Sequence, residues 1–254
     1  MKLEIRWHPR IGDAIVQRGI FQHYLRLFNP SQVVVPATPE AFATVWHLYG
    51  HDARNANVAL HIREVSIDPR EHDYYREPYW EDSVKVTIGA ACPTFDYSLW
   101  DQSFYDQAGV DVKERFTPYA NPEEDLPAEV LSDKAQHNQR AYLLKQRRPG
   151  RKLALFHETR FKRLPAEVRA RYSGRMDWKC LDVSPILGSS ILYWAPVMLD
   201  ATVMHMVDSG PANLANSLTF GDCETVIYAQ DTPPPTLLKA GANVRVQLKE
   251  QSKP

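Results

Sequence analysis

Apolar residues along this chain alternate between two patterns. Short runs at Leu3–Trp7, Gln32–Val35, Val58–Val65 and Val84–Ile88 read as strands, Gln32–Val35 being β-branched and continuous. Between the first two, Ile15, Val16, Ile20, Tyr24, Leu25 and Phe28 recur at helical spacing until Asn29-Pro30 ends the helix. Thr38-Pro39 opens a second helix, with a capping hydroxyl and proline at the first helical position, and its end is expected near Gly50. Strand and helix alternating at this spacing predict a mainly parallel sheet.

The pattern pauses over Tyr119–Gly150, rich in Pro, Glu, Asp and Gln, where one helix is expected near Pro127–Leu144. It then resumes. Lys152–Phe156, Trp178–Val183, Val203–Val207 and Thr225–Tyr228 read as strands, and Pro165–Tyr172, Ile191–Leu199 and Ala212–Leu218 as helices. Pro233-Pro234-Pro235 reads as a rigid connector and the last 19 residues as a peripheral tail. The doubling divides the chain into an N-terminal domain at 1–125, a connection at 126–150 and a C-terminal domain at 151–254.

Composition narrows the class. Of 254 residues, 44% are hydrophobic and 24% charged, ordinary for a globular protein. Cys92, Cys180 and Cys223 are odd in number, far apart and without a CxxC pair, which argues against a disulfide framework or a cysteine zinc site and for a reducing compartment. No signal-peptide apolar region follows Met1, and the longest apolar run, Ile191–Leu199, is interrupted by Pro196. The expected location is the cytoplasm, a phage host's cytoplasm included, with no membrane span.

Charge is uneven. Arg140–Lys179 holds 13 Lys/Arg against 3 Asp/Glu, a local charge of +10, so the remainder sums to −11. Such a block is either a solvated face or a site for a polyanion, a nucleotide diphosphate or a nucleic acid.

Three turns follow predicted strands and open helices, where helix N–H groups are unpaired and ligands bind in open parallel sheets. None is a GxGxxG fingerprint or a P-loop. At the first, Gly12 allows a close backbone turn, and Asp13 either caps the helix or takes a proton from an attacking hydroxyl. At the second, His157-Glu158-Thr159-Arg160-Phe161-Lys162-Arg163-Leu164-Pro165, the cations Arg160, Lys162 and Arg163 are surface charges or partners for a diphosphate. At the third, Asp208-Ser209-Gly210-Pro211-Ala212-Asn213, the Ser209 hydroxyl, bare Gly210 and the helix N-terminus form an anion cradle.

In order and spacing these turns resemble one family. Ile11-Gly12-Asp13 is similar to the Gly-Asp start of heptosyltransferase-type glycosyltransferases (glycosyltransferase family 9). Lys162-Arg163-Leu164-Pro165 resembles their Lys-Arg-Trp-Pro stretch. Asp208-Ser209-Gly210-Pro211-Ala212-Asn213-Leu214-Ala215 resembles their Asp-(Ser/Thr)-Gly-x-x-His-Leu-Ala motif, with Asn213 where the family has histidine. With Asn213 at that position and a chain shorter than typical members, the resemblance is to a distant relative of the same fold, and the chain also resembles short, phage-type glycosyltransferase-like proteins.

The resemblance implies an α/β GT-B fold: two Rossmann-like domains with mainly parallel sheets facing across a cleft, the nucleotide-sugar on the C-terminal one. It implies Asp13 as general base, open to the incoming hydroxyl. Donor contacts then come from Gly12, Arg160, Lys162, Arg163, Asp208, Ser209, Gly210 and Asn213. It also implies inversion at the anomeric carbon, no metal, and no cofactor beyond the nucleotide-sugar, which leaves as a nucleoside diphosphate.

Ala91–Tyr119 carries Phe95, Tyr97, Trp100, Phe104, Tyr105, Phe116 and Tyr119, either core or a stacking surface for sugars or bases. With the basic block, these admit a hydroxymethylated pyrimidine in DNA as acceptor, reached by base flipping. The other acceptors admitted are a surface glycan and a small metabolite. The other classes are a non-catalytic nucleotide or nucleic-acid binding module and a sugar-nucleotide epimerase.

Overall fold

The computed structural model describes residues 1–66, 77–89, 92, 94–131, 151–183, 190–229 and 237–248. β1 (Lys2–Arg6) leads into α1 (Ile11–Phe28), then β2 (Gln32–Ala37), α2 (Pro39–Asn55), β3 (Ala59–Glu64) and β4 (Ser83–Thr87). The sheet order is β3-β2-β1-β4, and each pairing is parallel, Leu3 lying beside Val33 on one side and Val84 on the other. The predicted helix α2 passes Gly50 and ends at Asn55. It continues because Ala53 is core and Asp52, one turn from its end, is held in a buried ion pair with Arg18 of α1.

After β4 the chain forms α3 (Trp100–Ala108) and two short 3-10 turns, Val112–Arg115 and Thr117–Tyr119. Gly19 in α1 admits this segment. A Cβ there would lie 2.1 Å from the Glu114 carbonyl oxygen and 2.8 Å from the Tyr105 hydroxyl. Three buried tyrosines then donate to carbonyls at the start of α1: Tyr49 to Ala14 at 2.8 Å, Tyr119 to Ile15 at 3.2 Å and Tyr105 to Val16 at 2.7 Å. The first turns of α1 are thereby gripped from two sides.

The second sheet comprises β5 (Lys152–His157), β6 (Trp178–Asp182), β7 (Val203–Val207), β8 (Glu224–Ala229) and β9 (Asn243–Leu248), in the order β6-β5-β7-β8-β9, again parallel throughout. β9 corrects the tail expectation. Its alternation, Val244 and Val246 against Arg245 and Gln247, is that of an exposed edge strand. Pro233-Pro234-Pro235 lies outside the described residues, as does the predicted helix beyond Leu131; Ala128–Leu131 is helical. The predicted helix Ile191–Leu199 is a 3-10 turn, Ile191–Trp194, followed by the one-turn helix Ala195–Leu199. Pro196 has no N–H to donate, so it is tolerated only in the first turn, and the helix starts just before it. The described residues group into two units, one of 1–127 with Ser190 and one of the remainder.

The second unit buries Ala154, Phe156, Leu164, Val168, Val203, Val207, Val226 and Tyr228 together. Within it His205 stacks on Phe156 (5.6 Å between centroids, 14° between planes) and lies within hydrogen-bond distance of the Tyr172 and Tyr228 hydroxyls, 2.8 and 3.1 Å. Burial, aided by Arg171 and Arg245, pushes its pKa down to about 4. Between pH about 6.5 and 4 the unfolded histidine therefore binds protons that the folded one does not. Stability is full above that window and falls by up to about 3 kcal/mol as the pH drops through it. Urea midpoints of the second unit should fall from pH 7 to 4.5, less steeply in His205→Gln; equal slopes in the two proteins would refute the assignment to His205.

Candidate functional site

Each sheet reverses its strand order once, and ligands of open parallel sheets bind beyond the carboxyl ends of the strands at that point. In the first unit the reversal lies at β1, between β2 and β4. The chain leaves β1 through Trp7-His8-Pro9-Arg10 and enters α1, with Asp13 its third residue. Gly12 is helical and is not among the glycines of positive φ, so the close turn expected of it is absent; its contribution is a missing side chain.

Asp13 does not cap the helix. Arg10 is the N-cap residue and no side chain caps. Nor is the carboxylate open, as the resemblance implied: Asp13 is 6% exposed. The Trp100 indole N–H donates to Oδ1 at 3.0 Å, and His8 Nδ1 lies 3.4 Å from Oδ2. Trp100 comes from the aromatic segment expected to be core or a stacking surface, and His8 from the same turn as Asp13, where only Gly12 and Asp13 were singled out in the sequence. His8 makes edge contacts with Trp100 and Phe104 at 5.0 and 6.1 Å. Gly89, with φ +104°, lets the chain leaving β4 pass here, since a Cβ would lie 3.0 Å from the Phe104 ring and 3.4 Å from His8.

Most of the aromatic segment is core. Phe95, Phe104, Tyr105 and Tyr119 are buried, while Tyr97 is exposed and Trp100 is partly so. A base-stacking surface built from the whole segment is thereby excluded.

In the second unit the reversal lies between β5 and β7, and the other two predicted turns follow these two strands. They meet. Lys162 Nζ donates to the Asp208 carbonyl oxygen at 3.2 Å and lies 3.6 Å from its carboxylate. The β5 turn is shaped by its own polar side chains. Thr159 Oγ1 accepts from the Lys162 and Phe161 N–H groups at 2.9 and 3.3 Å, and Glu158 accepts from the Leu164 N–H at 2.8 Å and from Arg169 at 3.0 Å. Glu158 and Thr159 were unassigned in the sequence, although a threonine three residues before a lysine in a turn is a local signal.

The predicted cations are unequal. Lys162 is half-buried and pointed at the β7 turn; Arg163 is 71% exposed on its side chain and lies 3.9 Å from Glu158. Arg160 lies over the exposed Phe161 ring, 5.5 Å to its centre, with no carboxylate partner among the described residues. Much of the basic block is paired locally, Arg169 with Asp182 and Arg175 with Asp177, and residues 140–150 lie outside the described residues.

At the β7 turn the helix Gly210–Ser217 begins with Ser209 as N-cap residue. The Ser209 hydroxyl donates backward to the Val207 carbonyl at 2.8 Å, so it does not add the donor expected of it. Gly210 likewise has no positive φ, and its value is a bare backbone. The helix N-terminus has no side-chain cap, leaving its first N–H groups as donors. Asn213 packs in the first turn of that helix, its N–H bonded to the Ser209 carbonyl at 3.1 Å.

His157 ends β5. Its Nδ1 lies 2.7 Å from the Val183 carbonyl and so carries the hydrogen, leaving Nε2 buried without a partner. Burial lowers its pKa, so the ring is neutral at pH 7. Among the described residues no group of three His, Cys, Asp or Glu is placed to hold a metal ion, and no helix is long and apolar enough to cross a membrane.

No protein-family model and no curated protein matches the chain. Solved structures do. A glycosyl transferase family 9 structure from Veillonella parvula DSM 2008 superposes with a TM-score of 0.52 at 12% identity, over 100% of this chain and 88% of that one. The fold is GT-B. The ADP-heptose LPS heptosyltransferase II of E. coli follows at TM-score 0.46 and 12% identity, over 97% and 90% of the two chains. A Listeria monocytogenes protein described as a UDP-N-acetylglucosamine 2-epimerase gives 0.45 and 12%, over 91% and 80%. At 12% identity the GT-B likeness is one of architecture, and chemistry rests on the side chains themselves.

Proposed function

We propose that this protein is a glycosyltransferase that moves a sugar from a nucleotide-sugar to an acceptor hydroxyl, with inversion and without a metal. The observation that carries the reading is the Lys162–Asp208 contact, which joins the two anion-binding turns at the strand-order reversal of the second sheet. The donor diphosphate lies against the N-terminus of the Gly210–Ser217 helix with Lys162 beside it. As the acceptor oxygen bonds to the anomeric carbon, the bond from that carbon to the diphosphate oxygen breaks, and the growing negative charge is met by helix N–H groups and the ammonium. The first unit supplies the proton acceptor, in a cluster that includes Asp13, at the corresponding reversal of its own sheet.

A panel of sugar nucleotides, each offered with glycan, small-metabolite and hydroxymethylated-DNA acceptors, tests this by the nucleoside diphosphate released. Acceptor-dependent release supports a transferase and identifies the acceptor class. Nucleotide binding with no release from any pair supports a binding module, and epimerised sugar nucleotide supports the epimerase.

Lys162→Met should weaken nucleotide-sugar affinity by about 10-fold, one charge-assisted hydrogen bond's worth, and slow transfer further because leaving-group charge grows in the transition state. Arg163→Ala, removing a solvent-exposed cation, should change affinity by less than about 3-fold. Calorimetric titration with the nucleotide-sugar and steady-state rates would show it; equal effects of the two substitutions would contradict the placement.

A further inference from the structure

We propose, resting on the transferase reading above, that the proton acceptor is a His8–Asp13 pair in which His8 takes the proton and Asp13 orients and stabilises its ring. Asp13 is poorly placed to act alone. It is buried, its Oδ1 is occupied by the Trp100 indole, and its Oδ2 is turned to His8 Nδ1 at 3.4 Å. The histidine has the complementary exposure. Nδ1 is the buried ring nitrogen and completes no hydrogen bond, the Asp13 carboxylate standing 3.4 Å away, while 19% of the side chain remains accessible.

The ring is held on several sides. Trp100 meets it edge-on at 83°, Phe104 packs at 64°, and the bare backbone of Gly89 closes in beside Cδ2. Pro9 restricts the His8 backbone to extended conformations, so the residue is fixed from below as well.

A carboxylate facing Nδ1 selects the tautomer with hydrogen on Nδ1 and a lone pair on Nε2. In the transfer step the acceptor O–H proton passes to His8 Nε2, and the freed oxygen pair forms the bond to the anomeric carbon. The pair of the breaking carbon–oxygen bond leaves with the diphosphate. The imidazolium so formed is stabilised by the Asp13 carboxylate beside it, the division of labour of a histidine backed by aspartate in serine proteases. The 3.4 Å separation tightens once the ring is charged, as catalytic contacts do in reacting complexes.

The test uses the full chain with the donor and acceptor found in the panel. Wild-type kcat/KM should fall on acidification, as the general base takes up a proton. His8→Gln should lose about 10²–10⁴-fold in kcat, lose that pH limb and keep its nucleotide-sugar affinity. The His8→Gln/Asp13→Asn double variant should be no slower than the slower single variant, because the two act as a unit. A His8→Gln enzyme within about 3-fold of wild type, or one that keeps the limb, overturns the proposal; a solely structural His8 moves melting temperature and KM but leaves the limb. Should His8→Gln fail to fold, the wild-type profile decides, and one without an acidic limb overturns the pair. No diphosphate release by wild type from any donor and acceptor defeats the transferase reading itself, a different outcome from release that is indifferent to His8.

Discussion

Asp13→Asn is expected to lower turnover by about 10²–10⁴-fold while nucleotide affinity and melting temperature stay close to wild type. The substitution keeps the shape of the side chain, and its carbonyl oxygen still accepts the Trp100 indole bond seen at 3.0 Å. No helix cap is lost, since Asp13 is the third residue of α1 and caps nothing. What disappears is the charge opposite His8. An amide nitrogen there would donate to Nδ1 and move the ring hydrogen to Nε2, removing the lone pair that accepts the proton. A purely structural Asp13 predicts the reverse: a stability change of about 1 kcal/mol, a perturbed hydrogen bond's worth, and unaltered turnover. Transfer rate, nucleotide titration and a thermal melt on this one variant separate the two, and an active Asp13→Asn enzyme would sink the mechanism.

Asp52→Ala is expected to destabilise the first unit by about 3–5 kcal/mol. Arg18 of α1 is fully buried and donates through Nε and Nη2 to both Asp52 oxygens at 2.9 and 2.8 Å, through Nη1 to the Pro118 carbonyl at 2.9 Å, and to the Asp125 carbonyl. Burial opposes its charge, but Asp52 more than offsets this, and the guanidinium stays more basic than usual. Without Asp52 that cation is left buried with carbonyls alone. Substituting both partners, Arg18→Met with Asp52→Leu, should recover much of the loss, because the isolated charge goes with its partner. Urea unfolding of the three variants would measure it; a loss below about 1 kcal/mol for Asp52→Ala would mean the pair is not buried as described. The pair also ties α1, whose first turn carries Asp13, to the chain at 118–125, so residual activity in Asp52→Ala should fall together with stability.

Two parallel sheets with intervening helices were legible in the sequence because the apolar periods of strand and helix are local properties, readable within a dozen residues. So were the turns that lead from β1 and β7 into their helices, since a strand running into a Gly-Pro or Gly-Asp helix start signals its own place at a sheet edge. β9 was missed although Val244 and Val246 alternate with polar neighbours. An edge strand buries little apolar surface and so writes a weak pattern, here beyond a proline run that read as a connector. Gly12 and Ser209 were assigned turn and donor roles from residue type, and local backbone geometry gave them others.

The sequence by itself determined which elements form and that Asp13 and Lys162 stand at strand ends, because those facts depend on neighbours a few positions away. Only the tertiary structure decided what touches Asp13. Trp100 is 87 positions from it, and no local pattern carries that pairing. It exists because β4 pairs with the free side of β1 and α3 then packs along α1, bringing Trp100 over the carboxylate and beside His8. The same holds for Lys162 and Asp208, 46 positions apart, which meet because β5 and β7 pair side by side with their turns at the same edge. Spacing along a chain specifies faces; contact between distant faces follows from the order in which the strands pair.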